Sequence, residues 1–205
     1  MTVKKLDNST EARKIRLRRS ALREVERPSI VETHGGDGVL YRACYATHQR
    51  GVVFETEERR ADLLSEQRPG WAVYHTDCAE ALAAGVGFQF NPNFFDLDPY
   101  GQCWPAIDGI FAGLKVKPPR LVFVVNDGLR QKVRVQESWT MGTLEEMVLK
   151  YGNDRLHKMY LQICQELLDE KARAAGYAVK RWTGYYCGDK HDMTHFAAVL
   201  DLVGK

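Results

Sequence analysis

Four short segments in the first half of the chain carry acidic residues and glycines of the kind that bind small polar ligands. A carboxylate accepts hydrogen bonds from hydroxyl and ammonium groups, and glycine lets a backbone approach a ligand closely. Each segment directly follows an apolar run that predicts a β-strand. In chain order they are Glu32 to Gly38, Phe54 to Glu57, His75 to Cys78 and Phe95 to Gly101. Because open α/β sheets bind ligands at the carboxyl ends of their strands, the series predicts one crevice.

The elements that must position these segments alternate between strands and helices along the chain. Apolar runs predict strands at 29–31, 52–54, 71–75, 94–97, 121–125, 177–185 and 194–203. Helical patterns lie at 9–26, 39–47, 59–66, 79–84, 104–114, 144–150 and 155–175, and Ser9 or Thr10 is the predicted N-cap of the first. Residues 127–142 are ambiguous, since Val133 and Val135 alternate with charged residues and allow an extra strand. The alternation predicts an α/β fold with a mostly parallel sheet covered by helices on both faces.

The last two predicted strands are joined by Cys187-Gly-Asp-Lys, which is typical of a hairpin turn. The order therefore ends in an antiparallel pair. We expect residues 28–205 to form a single domain and residues 1–27 to form a basic helical extension.

The composition indicates a water-soluble globular chain. Its 205 residues are 44% apolar and 27% charged, and the longest apolar runs are far too short to cross a bilayer. The first residues have no apolar segment of the kind a secretory signal needs, and the five cysteines are scattered without a Cys-x-x-Cys pair. We therefore expect a reducing, cytoplasmic setting and neither a membrane nor a metal site.

The charge is unevenly distributed. Residues 1–27 hold nine Lys/Arg against four Asp/Glu, a net charge of +5, whereas the rest holds 20 against 23, a net charge of −3. A basic helix before a mildly acidic body is typical of binding to an acidic partner such as nucleic acid. A solvated surface helix is the other interpretation of the same pattern.

The segment after the fourth strand, Asp98-Pro99-Tyr100-Gly101, combines a carboxylate, a proline and an aromatic ring. A carboxylate and a proline carbonyl accept hydrogen bonds from an amine, and an aromatic ring stacks on a nucleobase. The same four residues also suit a type I turn with proline at its second position. Asp96, two residues earlier, is an alternative polar contact.

With these motifs the chain resembles the class I S-adenosylmethionine-dependent methyltransferases. The likeness covers residues 28–204 as architecture, and its motifs lie between Glu32 and Gly101. It implies a seven-stranded Rossmann-like sheet whose last strand enters antiparallel through a hairpin. The Asp-Pro-Tyr-Gly segment is similar to one found in tRNA guanine-N2 methyltransferases.

The resemblance assigns the cofactor, S-adenosyl-L-methionine, to the first three segments. The glycine turn would hold its methionine part, the carboxylate at the end of strand two its ribose, and the end of strand three its adenine. The residues implied are Glu32, His34, Gly35, Gly36 and Gly38, then Glu55, then Asp77 and the backbone N–H of Cys78. Glu55 also lies 23 residues after Glu32, as in dinucleotide-binding folds, but the turn lacks Gly-x-Gly-x-x-Gly. From the residues alone, Asp77 equally suits an N-cap of the next helix.

The resemblance assigns the chemistry to Asp98, Pro99 and Tyr100. The first two would accept hydrogen bonds from an exocyclic amine of an RNA or DNA base, and Tyr100 would stack on a single-stranded or flipped base. The sequence thus predicts a nucleic-acid amino-methyltransferase and leaves open a protein partner that completes its site. Two alternatives stay open: methylation of a protein or small molecule, and a non-catalytic cofactor-binding scaffold in a complex.

Overall fold

A computed structural model describes residues 10–135, 142–188 and 191–204, and it places seven strands in one sheet. The strands are β1 (Ile30–Glu32), β2 (Gly51–Glu55), β3 (Trp71–His75), β4 (Phe94–Leu97), β5 (Arg120–Asp127), β6 (Tyr177–Cys187) and β7 (Met193–Leu202). Their spatial order is β3-β2-β1-β4-β5-β7-β6. The first five are parallel, and β7 pairs antiparallel with both β5 and β6. The predicted fold class is confirmed.

Helices cover both faces of this sheet. They are α1 (Glu11–Leu22), α2 (Glu58–Gln67), α3 (Cys78–Ala83), α4 (Trp104–Gly113), α5 (Leu129–Val135), α6 (Gly142–Tyr151), α7 (Asn153–Lys158) and α8 (Tyr160–Ala174). A π-helical turn spans Tyr41–Tyr45, where the sequence predicts an α-helix, and a 3-10 turn spans Phe88–Phe90. None of the helices in the described ranges is long and apolar enough to cross a membrane.

Alternation along each strand sends side chains to two separate cores. On one face Val31, Phe95 and Phe123 pack against the helices α3, α4 and α8. On the other face Ile30, Phe94 and the neighbouring strands pack against α1, α2 and the π-helical turn. Helix α1 therefore lies on the body of the protein, with Leu17 and Ala21 buried.

Three local predictions differ from the structure. Residues 129–135 form helix α5 and not an extra strand, because burial of Leu129 and Val133 in the core matches a helical spacing of four. The helix predicted at 155–175 is divided into α7 and α8 at Met159, whose φ of −111° and ψ of 20° interrupt the helix. Thr10 precedes α1 without a capping hydrogen bond from its side chain, and Ser9, the other predicted cap, lies outside the described residues. The hairpin-turn residues Asp189 and Lys190 also lie outside them.

The strand order reverses next to β1. Strands β2 and β3 lie to one side of it, and the chain then returns to place β4 on the other side. Glu32 of β1 is in register with Asp96 of β4. Ligands of open α/β folds bind at such a switch point, outside the carboxyl ends of the strands.

Candidate cofactor and substrate site

The glycine turn after β1 is held by its own backbone and by β2. The N–H of Gly35 donates to the carbonyl of Phe54 at 3.0 Å, and the N–H of Gly38 donates to the carbonyl of Gly35 at 3.1 Å. Gly36 has a φ of +51°, a backbone conformation that side chains disfavour, and a Cβ placed there would meet open space. The turn thus presents its backbone to open space at Gly36, while Gly35 is packed against Leu64 and Val53.

Glu55 ties the end of β2 to this turn. Its Oε1 accepts the N–H groups of Thr56 at 2.9 Å and Glu57 at 3.0 Å, and its Oε2 accepts the N–H of Gly36 at 2.8 Å. A carboxylate has about four acceptor positions, so three bonds leave one on Oε2. The carboxylate is therefore fixed in orientation and retains capacity for a hydroxyl group.

The end of β3 lies beside the same turn. Oδ1 of Asp77 accepts the N–H groups of Ala79 at 2.8 Å and Glu80 at 3.3 Å, so Asp77 is the N-cap of α3, and its side chain remains exposed. The Sγ of Cys78 lies 3.9 Å from Nε2 of His34. The first three predicted segments are thus in mutual contact.

His34 links the glycine turn to β4 through Thr33. The hydroxyl of Thr33 lies 2.7 Å from Nδ1 of His34, and the N–H of Thr33 donates to the carbonyl of Asp96 at 2.9 Å. Burial lowers the pKa of His34, although several carboxylates around it oppose that shift. His34 is therefore a neutral ring at neutral pH.

Asp98, Pro99 and Tyr100 leave β4 at the carboxyl edge of the sheet. Pro99 is buried, whereas Tyr100 is 99% exposed. Asp98 does not stand alone, because Nζ of Lys14 lies 2.9 Å from its Oδ1 and 3.1 Å from its Oδ2. The side-chain amide of Asn126, at the end of β5, also donates to Oδ1.

Asp96 is the buried neighbour of Asp98. Arg18 donates to both of its oxygens, from Nε at 2.7 Å and from a terminal nitrogen at 2.6 Å, and both side chains are fully buried. The hydroxyl of Tyr45 donates to Oδ2 at 2.7 Å. With both oxygens so engaged, Asp96 anchors α1 and not a ligand.

The cations of α1 set the charge state of Asp98. Burial alone raises the pKa of a carboxyl group, but Arg18, Lys14 and the amide of Asn126 stabilise the anion, and together they lower the pKa of Asp98. Asp98 is therefore an acceptor-only carboxylate at neutral pH.

Glu32 forms a buried ion pair with Arg68, whose guanidinium also lies 4.2 Å from the centre of the Tyr41 ring. Burial raises the pKa of Glu32 to about 7 against the opposing effect of Arg68. The structure thus pairs the methionine-binding candidate with a cation at the end of α2.

A polar row continues from Asp98 across β5 to β7. Asn126 is in register with His195, whose Nδ1 lies 3.1 Å from the hydroxyl of Tyr185. Burial and the positive charges of Lys14 and Arg18 lower the pKa of His195 to about 3. The row is neutral apart from Asp98, and it borders the site on the side away from the glycine turn.

Two residues of this site escape sequence reasoning, Lys14 and Arg18. The basic helix signals cations without showing which of them turn inward. Asn126 is different, because its Asn-Asp-Gly segment follows a predicted strand, so the sequence allows it to be either a turn or a substrate contact at the crevice.

A depression of about 620 Å³ lies away from this edge, at the amino end of β4 and β5, where Arg120 is paired with Asp201 at 2.7 Å. None of the predicted site residues lines it. Among the described residues no group of three or more His, Cys, Asp and Glu could hold a metal ion.

No family model and no curated protein sequence matches the chain. Its structure is similar to that of Trm1 from Pyrococcus horikoshii in complex with S-adenosyl-L-methionine, with 13% identity and a TM-score of 0.65. That alignment covers 94% of this chain and 54% of Trm1, so this chain spans about half of that protein's length.

Two further structures align over most of both chains. TYW2 from M. jannaschii, in complex with AdoMet, shares 14% identity and a TM-score of 0.58 over 98% of this chain and 80% of its own. The N-methyltransferase NodS from Bradyrhizobium japonicum WM9 shares 12% identity and a TM-score of 0.55 over 97% of this chain and 99% of its own. With the strand order and the antiparallel β7, these likenesses show that the chain has the Rossmann-like fold of the class I methyltransferases.

Proposed function

We propose that the protein is an S-adenosylmethionine-dependent methyltransferase that modifies an exocyclic amine of a nucleic-acid base. The observation that supports this most is the convergence, at the switch point of a class I fold, of the glycine turn, the oriented carboxylate of Glu55 and the Asp98-Pro99-Tyr100-Gly101 segment.

The residues at the glycine turn fit the cofactor. The open space at Gly36 and the remaining acceptor position on Glu55 suit the methionine part and a ribose hydroxyl, respectively. The first turn of α3, with Asp77 and the N–H of Cys78, offers an acceptor and a donor to adenine. Glu32, at the end of β1 directly before the turn, is held in place by its buried ion pair with Arg68. When bound, S-adenosylmethionine supplies an electrophilic methyl group.

The chain's own part in the reaction is to position the amine. Asp98 and the carbonyl of Pro99 would accept hydrogen bonds from the two N–H groups of the amine, which directs its lone pair outward for attack. Tyr100, with its ring 99% exposed, would stack on the base. His34 and Asp98 remain a neutral ring and an anion under these conditions, so neither adds positive charge near the reacting nitrogen.

Nucleic acid is the proposed partner because of α1. Arg13, Arg16, Arg19 and Arg23 lie exposed on this helix, next to the edge that carries Asp98. Phosphate contacts from these side chains would make binding strongly dependent on salt. The division into an extension, residues 1–27, and a domain, residues 28–205, is proposed on the same charge asymmetry. A cytoplasmic setting is proposed on the scattered cysteines, and a protein partner that completes the site is proposed because the chain has little room for a separate target-reading domain.

The test begins with calorimetric binding of S-adenosylmethionine, with NADH as the control ligand. Saturable binding of the first alone supports the cofactor assignment. Transfer of tritiated methyl from the cofactor to tRNA, rRNA or DNA, with the labelled nucleoside identified after digestion, then tests the amine. Cofactor binding without transfer to any of these pools would contradict the proposed substrate.

One observation favours the second candidate, a non-catalytic scaffold. Asp98 is engaged by Lys14 and Asn126, so in this arrangement it acts as a structural ion-pair partner. A scaffold would bind the cofactor yet transfer no methyl group to nucleic acid, protein or peptide pools. Transfer to protein or peptide alone would favour the remaining alternative, a protein or small-molecule methyltransferase.

A further inference from the structure

The carboxylate that should receive the target amine is already occupied by an amine of the same chain. Oδ1 of Asp98 accepts from Lys14 and from Asn126, and Oδ2 accepts from Lys14 and lies 3.8 Å from a terminal nitrogen of Arg18. A carboxylate has about four acceptor positions. Three hydrogen bonds fill three of these positions, and Arg18 lies 3.8 Å from the oxygen that holds the fourth, so a target amine must compete with Lys14 for Asp98.

We propose that the ammonium group of Lys14 holds the place of the target amine, so that α1 inhibits the site until nucleic acid displaces Lys14. The inference rests on the proposed function, since it concerns the regulation of the same site.

Lys14 is the partner that can leave. The side chains of Lys14 and Asp98 are 22% and 19% exposed, whereas those of Arg18 and Asp96 are both fully buried. Ion pairs that water can reach contribute little to stability. Arg18 therefore keeps α1 anchored while Lys14, in the first turn of the helix, exchanges its partner.

Nucleic acid is the agent that suits this exchange. Arg13 and Arg16 lie exposed in the same turn of α1 as Lys14, and Arg13 acts with Lys14 on His195, so phosphates bound by this turn lie near the edge that the ammonium group occupies. A phosphate is a competing partner for Lys14, and its binding frees Asp98 at the moment when the base arrives. Displacement is thus coupled to the arrival of substrate.

The variant Lys14→Met removes the competing ammonium and keeps the apolar stem. Lys115→Met is the matched control, because it removes one positive charge from an exposed position near the amino end of β5, away from the carboxyl edge of the sheet. Lys14→Arg is the conservative variant, since a guanidinium can still pair with Asp98. Tritiated methyl transfer to unfractionated tRNA, at subsaturating RNA, is compared for the three variants and the wild type, with S-adenosylmethionine affinity and thermal unfolding as folding controls.

We expect Lys14→Met to transfer methyl about fivefold faster than the wild type, the factor that corresponds to a part-exposed ion pair, and Lys115→Met to match the wild type. Lys14→Arg should show no such increase. If the wild type is inactive and Lys14→Met transfers methyl, the result supports both inhibition by Lys14 and the proposed function. If the wild type is active and Lys14→Met is no faster, the inhibition is overturned and the proposed function stands. If all variants bind the cofactor and none transfers methyl, both the inhibition and the proposed substrate are overturned.

Discussion

Glu55 has a double role, as a brace for the glycine turn and as a candidate ligand of ribose. Its Oε1 is taken by two backbone N–H groups, so Oε2, which accepts from Gly36, is the oxygen left for a hydroxyl group. Glu55→Gln puts an amide nitrogen, which cannot accept, at one of these two positions. We expect S-adenosylmethionine affinity to fall about 10- to 100-fold, the usual effect of losing a hydrogen bond to a charged group.

Calorimetry checks this prediction, with Glu57→Gln as the control. Glu57 is exposed two residues after Glu55 and pairs with Arg60 at 3.2 Å. Equal affinity of Glu55→Gln and Glu57→Gln would remove Glu55 from the cofactor site.

Asp98 differs from Glu55 because its neighbours are two cations of α1, the part-exposed Lys14 and the buried Arg18. Asp98→Asn keeps the size and one acceptor oxygen but loses the negative charge that stabilises the approaching amine. We expect S-adenosylmethionine to bind normally and methyl transfer to fall about a hundredfold or more, since misplacement of a reacting group has effects of that order. Cofactor calorimetry and single-turnover methyl transfer are the two measurements, and undiminished transfer would show that Asp98 has no part in the reaction.

At the scale of elements, α1 is held by a buried charge and not by its apolar face alone. Arg18 is the charged partner of Asp96, and both side chains are fully buried. Arg18→Met leaves a buried carboxylate with only the hydroxyl of Tyr45, and such unpaired charges reduce the free energy of unfolding by about 3–5 kcal/mol. Arg19→Met, at an exposed position, should change it by less than about 0.5 kcal/mol.

Urea unfolding of the two variants tests this anchor. The double variant Arg18→Met with Asp96→Leu should recover most of the loss, because it removes the buried charge together with its partner. If Arg18→Met is no less stable than Arg19→Met, α1 is not anchored in this way.

The strands and turns of this fold can be predicted from local sequence patterns, whereas the long-range side-chain contacts between them cannot. Apolar runs followed by polar tips predict β1 to β4, the glycine turn and Glu55, because strand ends and turns depend on neighbours in sequence. Lys14 is 84 residues from Asp98 and Arg18 is 78 residues from Asp96. The packing of Leu17 and Ala21 fixes how α1 is rotated and so decides which of its cations turn inward. Because the apolar face of this helix is sparse, the sequence does not determine that rotation. Likewise, Glu32 fits a ligand role until Arg68, 36 residues away, reaches it.

At the scale of the whole molecule, buried titratable groups act on stability in opposite directions. The folded state lowers the pKa of His195 to about 3 from 6.5, so its contribution to stability is lost as pH falls from 6.5 toward 3. It raises the pKa of Glu32 to about 7 from 4.5, so that contribution is lost as pH rises from 4.5 toward 7. Over the shared range the two offset each other in the stability profile.

Asp127 adds a third contribution that a single variant isolates. It lies fully buried at the end of β5, where its Oδ1 accepts the N–H of Leu129 at 3.0 Å and its Oδ2 accepts the hydroxyl of Tyr160 at 2.6 Å. Burial raises its pKa to about 6 from 3.8, against the effect of these two donors. Between those values the folded state holds a proton that the unfolded state has released, so stability falls as pH rises through this range.

Asp127→Asn removes this titration and keeps an oxygen for the N–H of Leu129. Since Glu32 and His195 are common to both proteins, their contributions cancel in the difference between variant and wild type. We expect the variant to gain on the wild type by about 3 kcal/mol as pH rises from about 3.5 to 7, the equivalent of roughly two pKa units. Urea unfolding at four pH values across that range measures the difference, and a difference that stays constant with pH would mean that Asp127 titrates alike in the folded and unfolded chain. A gain confined to that range would show that Asp127 is ionised at neutral pH despite its burial, at the same strand end that supplies Asn126 to the site.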